Sequence, residues 1–191
     1  LEILKNLEES TILDIGTGSG CIAISLRKNL PNSHRILAID ISEKALEIAR
    51  KNAGNLGAEN IEFILSDLLK NIRFSKEFPI PRIFVANLPY VPKHDDVPDE
   101  VRNYDPRTAV FSGKDGLDIY RRFFSELKDF SEFEYCLFEF HPPQKEKLDL
   151  LLSEHFPKYS LEFFSDLSGH TRFGILTRIP NKNFTKTFIA S

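Results

Sequence analysis

The chain has little of what several large classes of protein depend on. There are only two cysteines in 191 residues, Cys21 and Cys136, and both fall in apolar stretches that read as core elements. A disulfide framework and a thiolate metal site are therefore excluded, and a reducing compartment, the cytoplasm, is expected. Positive charge is not in excess: 25 Lys and Arg against 28 Asp and Glu leave a net charge of −3, so no overall field gathers nucleic acid. No apolar run approaches the roughly 18 residues that a membrane span requires. No secretory leader is expected, and no internal repeat or low-complexity run appears. None of the five histidines has a neighbour spaced for metal binding or for a catalytic triad. Residue 1 is leucine rather than methionine, and the expectation is a piece of a longer protein.

What is there suffices for one domain with a real core: 41% of the residues are hydrophobic and 28% are charged. Apolar residues at 1, 3, 4 and 7 predict that residues 1–10 end a linker helix from a missing N-terminal domain. Residues 11–179 then read as the main domain, and 180–191 as a loose polar tail. Within the domain, short apolar strands alternate with helices. Strands are expected at Ile12–Ile15, Arg35–Asp40, Ile61–Leu65, Ile83–Ala86 and Tyr135–Phe140, and two late ones at Leu161–Ser165 and Phe173–Arg178. Helices are expected over 22–30, after a Ser42 cap as far as Gly57, over 117–130, and after Pro142-Pro143. Such alternation predicts an α/β fold, a mostly parallel sheet with its ligand crevice at the carboxyl ends of the strands.

The first strand runs into Asp14-Ile15-Gly16-Thr17-Gly18-Ser19-Gly20. Glycines at alternate positions allow a sharp turn with no side chain in the way of a ligand, and the helix behind it aims unpaired N–H groups at that turn. The dinucleotide pattern G-x-G-x-x-G is not met, because the third glycine falls one place early and Cys21 stands where it belongs, which weakens a nicotinamide reading. Asp14 can accept from a ligand's ammonium group or fix the N–H groups of the turn. Asp40, ending the second strand, can accept both ribose hydroxyls of an adenosine, and Asp67, after the third, an adenine amino group. A dehydrogenase would also want an acid at Asp40, so that residue alone does not separate cofactors.

The fourth strand leads into Asn87-Leu88-Pro89-Tyr90. With D-I-G-T-G-S-G upstream, this resembles the N-P-P-Y motif of enzymes that methylate a planar nitrogen, either the exocyclic amine of a base or a glutamine amide. Such a nitrogen has its lone pair in a π system and needs geometry rather than a base. The Asn87 side-chain oxygen and the Leu88 carbonyl can accept its two N–H bonds while Tyr90 stacks on the flat group.

Downstream, Tyr104-Asp105-Pro106-Arg107-Thr108-Ala109-Val110 and Ser112 to Arg121 resemble the Y-E-P-x-x-A-L and G-G-x-D-G-L-x-x-Y-R blocks of the protein-glutamine N5-methyltransferases that act on peptide chain release factors. Phe138-Glu139-Phe140 to Gln144 is similar to that family's E-x-G-x-x-Q segment, and Asp166 to Arg172 to its closing D-L-x-G-x-x-R. The resemblance covers roughly residues 7–178, with the motifs in family order. It implies a Rossmann-like, seven-stranded class I S-adenosylmethionine-dependent methyltransferase. The catalytic tetrapeptide would be Asn87, Leu88, Pro89 and Tyr90. The cofactor would lie against Asp14, Gly16, Thr17, Gly18, Gly20, Asp40, Ile41, Asp67, Leu68 and Asn87, with no metal. The implied partner is a release factor presenting Gly-Gly-Gln to a monomeric enzyme.

Two departures matter. The family has proline where this chain has Leu88, a form also seen in ribosomal RNA adenine dimethyltransferases, so adenine methylation on RNA or DNA is the second reading. The family's N-terminal helical domain is represented by its last helix at most. A third reading, a methyltransferase-like subunit that binds without catalysing, sits poorly with intact Asp14, Gly16, Gly18, Asp40 and Asn87. Against nucleic acid stands the segment 91–106, expected to line the substrate mouth. It carries Asp95, Asp96, Asp99, Glu100 and Asp105 against Lys93 and Arg102, five negative and two positive charges, hence −3.

Overall fold

Seven strands form one sheet in the order β3-β2-β1-β4-β5-β7-β6. The computed structural model describes residues 9–70, 72, 81–92, 112–130 and 133–179. Most of the helix end read over 1–10, the acidic segment from Lys93 on, the block Tyr104 to Val110 and the tail 180–191 lie outside the described residues.

In chain order the elements are β1 (Thr11–Ile15), α1 (Cys21–Asn29), β2 (Arg35–Asp40), α2 (Glu43–Asn55), β3 (Ile61–Leu65), β4 (Ile83–Ala86), α3 (Asp118–Leu127), β5 (Tyr135–Glu139), α4 (Lys145–His155), β6 (Tyr159–Ser165) and β7 (Thr171–Arg178). β1 to β5 pair in parallel, whereas β7 is antiparallel to both β5 and β6. The chain reverses its direction of strand addition between β1 and β4, and that switch point opens a crevice at the carboxyl edge.

Central strands are mostly apolar because both faces are covered. Ile12, Leu13, Ile36, Leu37, Ile83 and Phe84 are wholly buried. Side chains alternate between two layers: Leu13, Ile15, Leu37, Ile39 and Phe84 meet Tyr120, Phe123 and Phe124 of α3 and Leu148 and Leu152 of α4. Ile12, Ile36, Ala38 and Ile83 meet Ala23 and Leu26 of α1. The chain has no tryptophan and no methionine, so phenylalanine fills the first layer. Phe84 lies edge-on to Phe133 with ring centres 5.7 Å apart, and Phe124 to Phe138 at 5.3 Å, the arrangement that aromatic quadrupoles favour.

Several expected boundaries move. The late strands begin earlier than Leu161 and Phe173, because the polar ends of β6 and β7 pair with each other from Tyr159↔Arg178 onward. The helix read over 117–130 is the shorter α3, and Pro142-Pro143 opens a single 3₁₀ turn, Pro142–Gln144, before α4. Ser42 does cap α2, its hydroxyl accepting the Ala45 N–H at 3.3 Å. Cys136 is buried as expected and its thiol is pushed up by burial, but Cys21 is exposed. It occupies the first position of α1, whose buried face is Ala23, Ile24, Leu26 and Arg27, so the core reading of Cys21 is corrected. No helix among the described residues is long and apolar enough to cross a membrane, and none of their acidic, histidine or cysteine side chains cluster as a metal site.

Candidate active site

The glycine turn and the tetrapeptide meet across the switch point. Gly16 takes φ +67°, a conformation costly for other residues, and a Cβ there would stand 2.9 Å from Leu88 Cδ2. The turn at the end of β1 is therefore packed on residue 88 at the end of β4.

Asp14 lies just beneath and is wholly buried. Its Oδ2 accepts the Thr17 hydroxyl at 2.6 Å and the Ala23 N–H at 3.1 Å, which fixes both the turn and the start of α1. Oδ1 finds no donor among the described residues. Burial pushes the Asp14 carboxyl up to about 6, with the nearby Asp40 charge adding to it and the Thr17 and Ala23 bonds opposing it. Thr17 is occupied structurally, with its N–H given to the Ile39 carbonyl at 2.9 Å.

Asp40 ends β2 and braces the same turn. Its Oδ2 accepts the Gly18 N–H and its Oδ1 the Ser42 N–H, both at 2.9 Å. Each oxygen keeps a lone pair, enough for two ribose hydroxyls. Beyond it Ile41 is 69% exposed, and Leu65, which ends the neighbouring strand in register with Asp40, is 52% exposed, an apolar surface of the kind a purine covers.

Asp67 is placed at this edge but is not alone there. Its two oxygens accept from Arg122 Nη2 at 2.8 and 2.7 Å, and Lys70 Nζ lies 3.3 Å away. The Arg122 hydrogen bond holds its carboxyl below the usual range. Leu68, expected against the cofactor, has φ +51°, and its carbonyl accepts from the Ser66 hydroxyl at 2.7 Å.

In the tetrapeptide, Asn87 is exposed just beyond the end of β4 while Leu88 is buried. Leucine brings an N–H that proline lacks, and that N–H donates to the Tyr120 hydroxyl at 3.4 Å. The Tyr120 hydroxyl in turn donates to the Glu139 carbonyl. Tyr90 is pinned at both ends: its hydroxyl donates to Glu139 Oε1 at 3.0 Å, and its carbonyl accepts from Gln144 Nε2 at 2.7 Å. Gln144 also donates to the Asp115 carbonyl at 2.9 Å and accepts the His141 N–H at 3.0 Å, so a buried amide ties three segments together. Burial, with the Glu139 charge, pushes the Tyr90 phenol up to about 12, so it remains a donor at neutral pH. The chain leaves the described region after Pro92 and is rejoined at Ser112, whose N–H donates to the Val91 carbonyl at 2.9 Å.

The supporting roles of Tyr120, Glu139 and Gln144 were not deducible from sequence, although all three lie in the blocks that carry the family resemblance. Arg122 gave no signal at all.

Residues 6–103 match the family described as "Methyltransferase domain". The chain belongs to that family. This methyltransferase is similar to the curated "Release factor glutamine methyltransferase" of Bacillus cereus, 36% identical over 168 residues that cover 86% of this chain and 58% of that protein. The protein of the same name from Flavobacterium psychrophilum is 41% identical over 175 residues, covering 88% and 58%. The methyltransferase thus spans about three fifths of the length of these relatives. Among solved structures, its fold is like that of a ribosomal protein L11 methylase from Lactobacillus delbrueckii subsp. bulgaricus, with TM-score 0.63 at 20% identity over 91% of this chain and 72% of that one.

Proposed function

We propose that this methyltransferase moves a methyl group from S-adenosylmethionine to the side-chain amide nitrogen of a glutamine, in the Gly-Gly-Gln loop of a peptide chain release factor. The observation that supports this is the packing of Gly16 on Leu88, which brings the turn read as the cofactor's beside the tetrapeptide read as the amide's. Residues 11–179 are the domain that does this, acting as a monomer in the cytoplasm.

The residues fit the cofactor. The unpartnered Asp14 Oδ1 offers an acceptor to an ammonium group, Asp40 retains lone pairs for a ribose, and Ile41 and Leu65 offer apolar surface to a purine. When bound, S-adenosylmethionine would supply an electrophilic sulfonium methyl and leave as the neutral thioether S-adenosylhomocysteine, the methylated nitrogen giving up one of its two protons to water. The chain's own part is to hold the acceptor. The Asn87 side-chain oxygen and the Leu88 carbonyl take the two N–H bonds of the amide, which turns its lone pair out of conjugation. Tyr90, fixed by Glu139 and Gln144, presents a rigid face to the flat group.

Glutamine is favoured over adenine by the names of the relatives and by the net charge of −3 carried by 91–106, where phosphates would be repelled. The test is tritiated-methyl transfer to release factor and to RNA and DNA at low salt, where electrostatic help to nucleic acid is greatest. Label is expected in the glutamine of Gly-Gly-Gln. Label in adenine with none in glutamine would replace this reading by nucleic-acid methylation.

Asp14 gives a pH signature. Its carboxyl is raised to about 6 when folded and has an ordinary value of 3.8. The folded state therefore binds the extra proton between those values, and the contribution to stability is full below pH 4 and lost as pH rises through 6. An ammonium ligand prefers the ionised form, so affinity should run the other way. Calorimetry with S-adenosylhomocysteine should show weakening as pH falls from 7.5 to 5.5, with proton release on binding near pH 6. Asp14→Asn should abolish both effects. A flat profile in the parent would remove Asp14 from the ammonium site.

A further inference from the structure

Asp67 directly follows Ser66, whose N–H donates to the Asp40 carbonyl at 2.9 Å, so the two carboxylates stand at adjacent strand ends of the crevice. The loop that carries Asp67 is held from outside by one helix. Arg122 of α3 takes both Asp67 oxygens, and one turn further on Glu126 Oε2 accepts the Leu69 N–H at 2.9 Å. Glu126 Oε1 also lies 3.9 Å from Arg122 Nη2, which steadies the guanidinium. Between these two tethers Leu68 keeps a left-handed backbone, φ +51°, that a leucine adopts only when its surroundings impose it.

Asp67 and Arg122 are 32% and 41% exposed, and ion pairs so open add little stability. Their effect is orientation. With one Arg122 nitrogen serving both oxygens and Lys70 on Oδ2, a lone pair of Oδ1 remains for a further donor. A carboxylate held in this way accepts from an amino group and repels a carbonyl oxygen. Released, it is left with Lys70, which already lies 3.3 Å from Oδ2, and with water, and distinguishes neither group.

We propose that Arg122 is a positioning residue that sets base selectivity at the cofactor site, by holding Asp67 so that a 6-aminopurine is preferred to a 6-oxopurine. This rests on the cofactor reading given above.

The experiment compares S-adenosylhomocysteine with S-inosylhomocysteine, its 6-oxo counterpart, by calorimetry on the full chain. In Arg122→Met the preference for the amino compound should fall about tenfold, mostly through weaker binding of that compound, while Arg122→Lys keeps most of it. In an Asp67→Asn background, Arg122→Met should change the preference by less than about twofold, because Arg122 acts through that carboxylate. Equal weakening of both nucleosides in Arg122→Met, with the preference unchanged, would mean a merely structural role and overturn the proposal. Tighter binding of S-adenosylhomocysteine would overturn it too, by making Arg122 a competitor for Asp67. If the parent binds neither nucleoside, the cofactor reading itself falls, and the selectivity role falls with it.

Discussion

Under the proposed reaction, replacing Asn87 with alanine should lower methyl transfer to the release factor by about 10²–10³ while S-adenosylhomocysteine affinity stays within about twofold. Asn87 is exposed at the end of β4, and among the described residues it carries no side-chain hydrogen bond that the fold would miss. Its removal should therefore leave the domain intact and take away only the oxygen proposed to turn the amide. The loss falls on kcat, because the second acceptor, the Leu88 carbonyl, belongs to the backbone and survives the substitution. Single-turnover transfer and calorimetry on the same preparation separate the two quantities. A comparable loss of cofactor affinity would mean that Asn87 serves the cofactor rather than the acceptor.

Gly116→Ala should cost nearly as much without touching a reacting group. Gly116 has φ +76°, and a Cβ there would collide with the Tyr90 carbonyl oxygen and with Gln144 Nε2. One collision is with backbone, so it cannot be relieved by a rotamer change, and the bond that pins Tyr90 must lengthen or break. A displacement of about 1 Å at an acceptor site can cost on the order of 10² in turnover. Stability should also drop, by about 1–3 kcal/mol for the left-handed alanine and the disturbed amide. Thermal unfolding and kcat measured together test this. Full turnover with a lowered melting temperature would show that Tyr90 need not be held.

The strands were legible because β1, β2, β4 and β5 are buried on both faces and so are written in mostly apolar residues, with polar ones chiefly near their ends. The edge strand β6 is half-buried along most of its length, which blurs its pattern, and its start was misplaced. Asp14, Gly16, Asp40 and Asn87 could be singled out since each sits at the end of a strand, where sequence order and position in the crevice coincide. The Arg122–Asp67 pair joins residues 55 apart along the chain and depends on where α3 lies, which no local pattern records. Cys21 was misread for a related reason: an apolar neighbourhood in sequence does not say which side of a helix's first turn faces water.

α3 reaches both halves of the site. Tyr120 receives the Leu88 N–H on the acceptor side, and Arg122 and Glu126 hold the Ser66–Leu69 loop on the cofactor side. Release of α3 would free the Ser66–Leu69 loop and the Leu88 N–H together, so under the proposed reaction nucleoside binding and methyl transfer are expected to be lost together on warming.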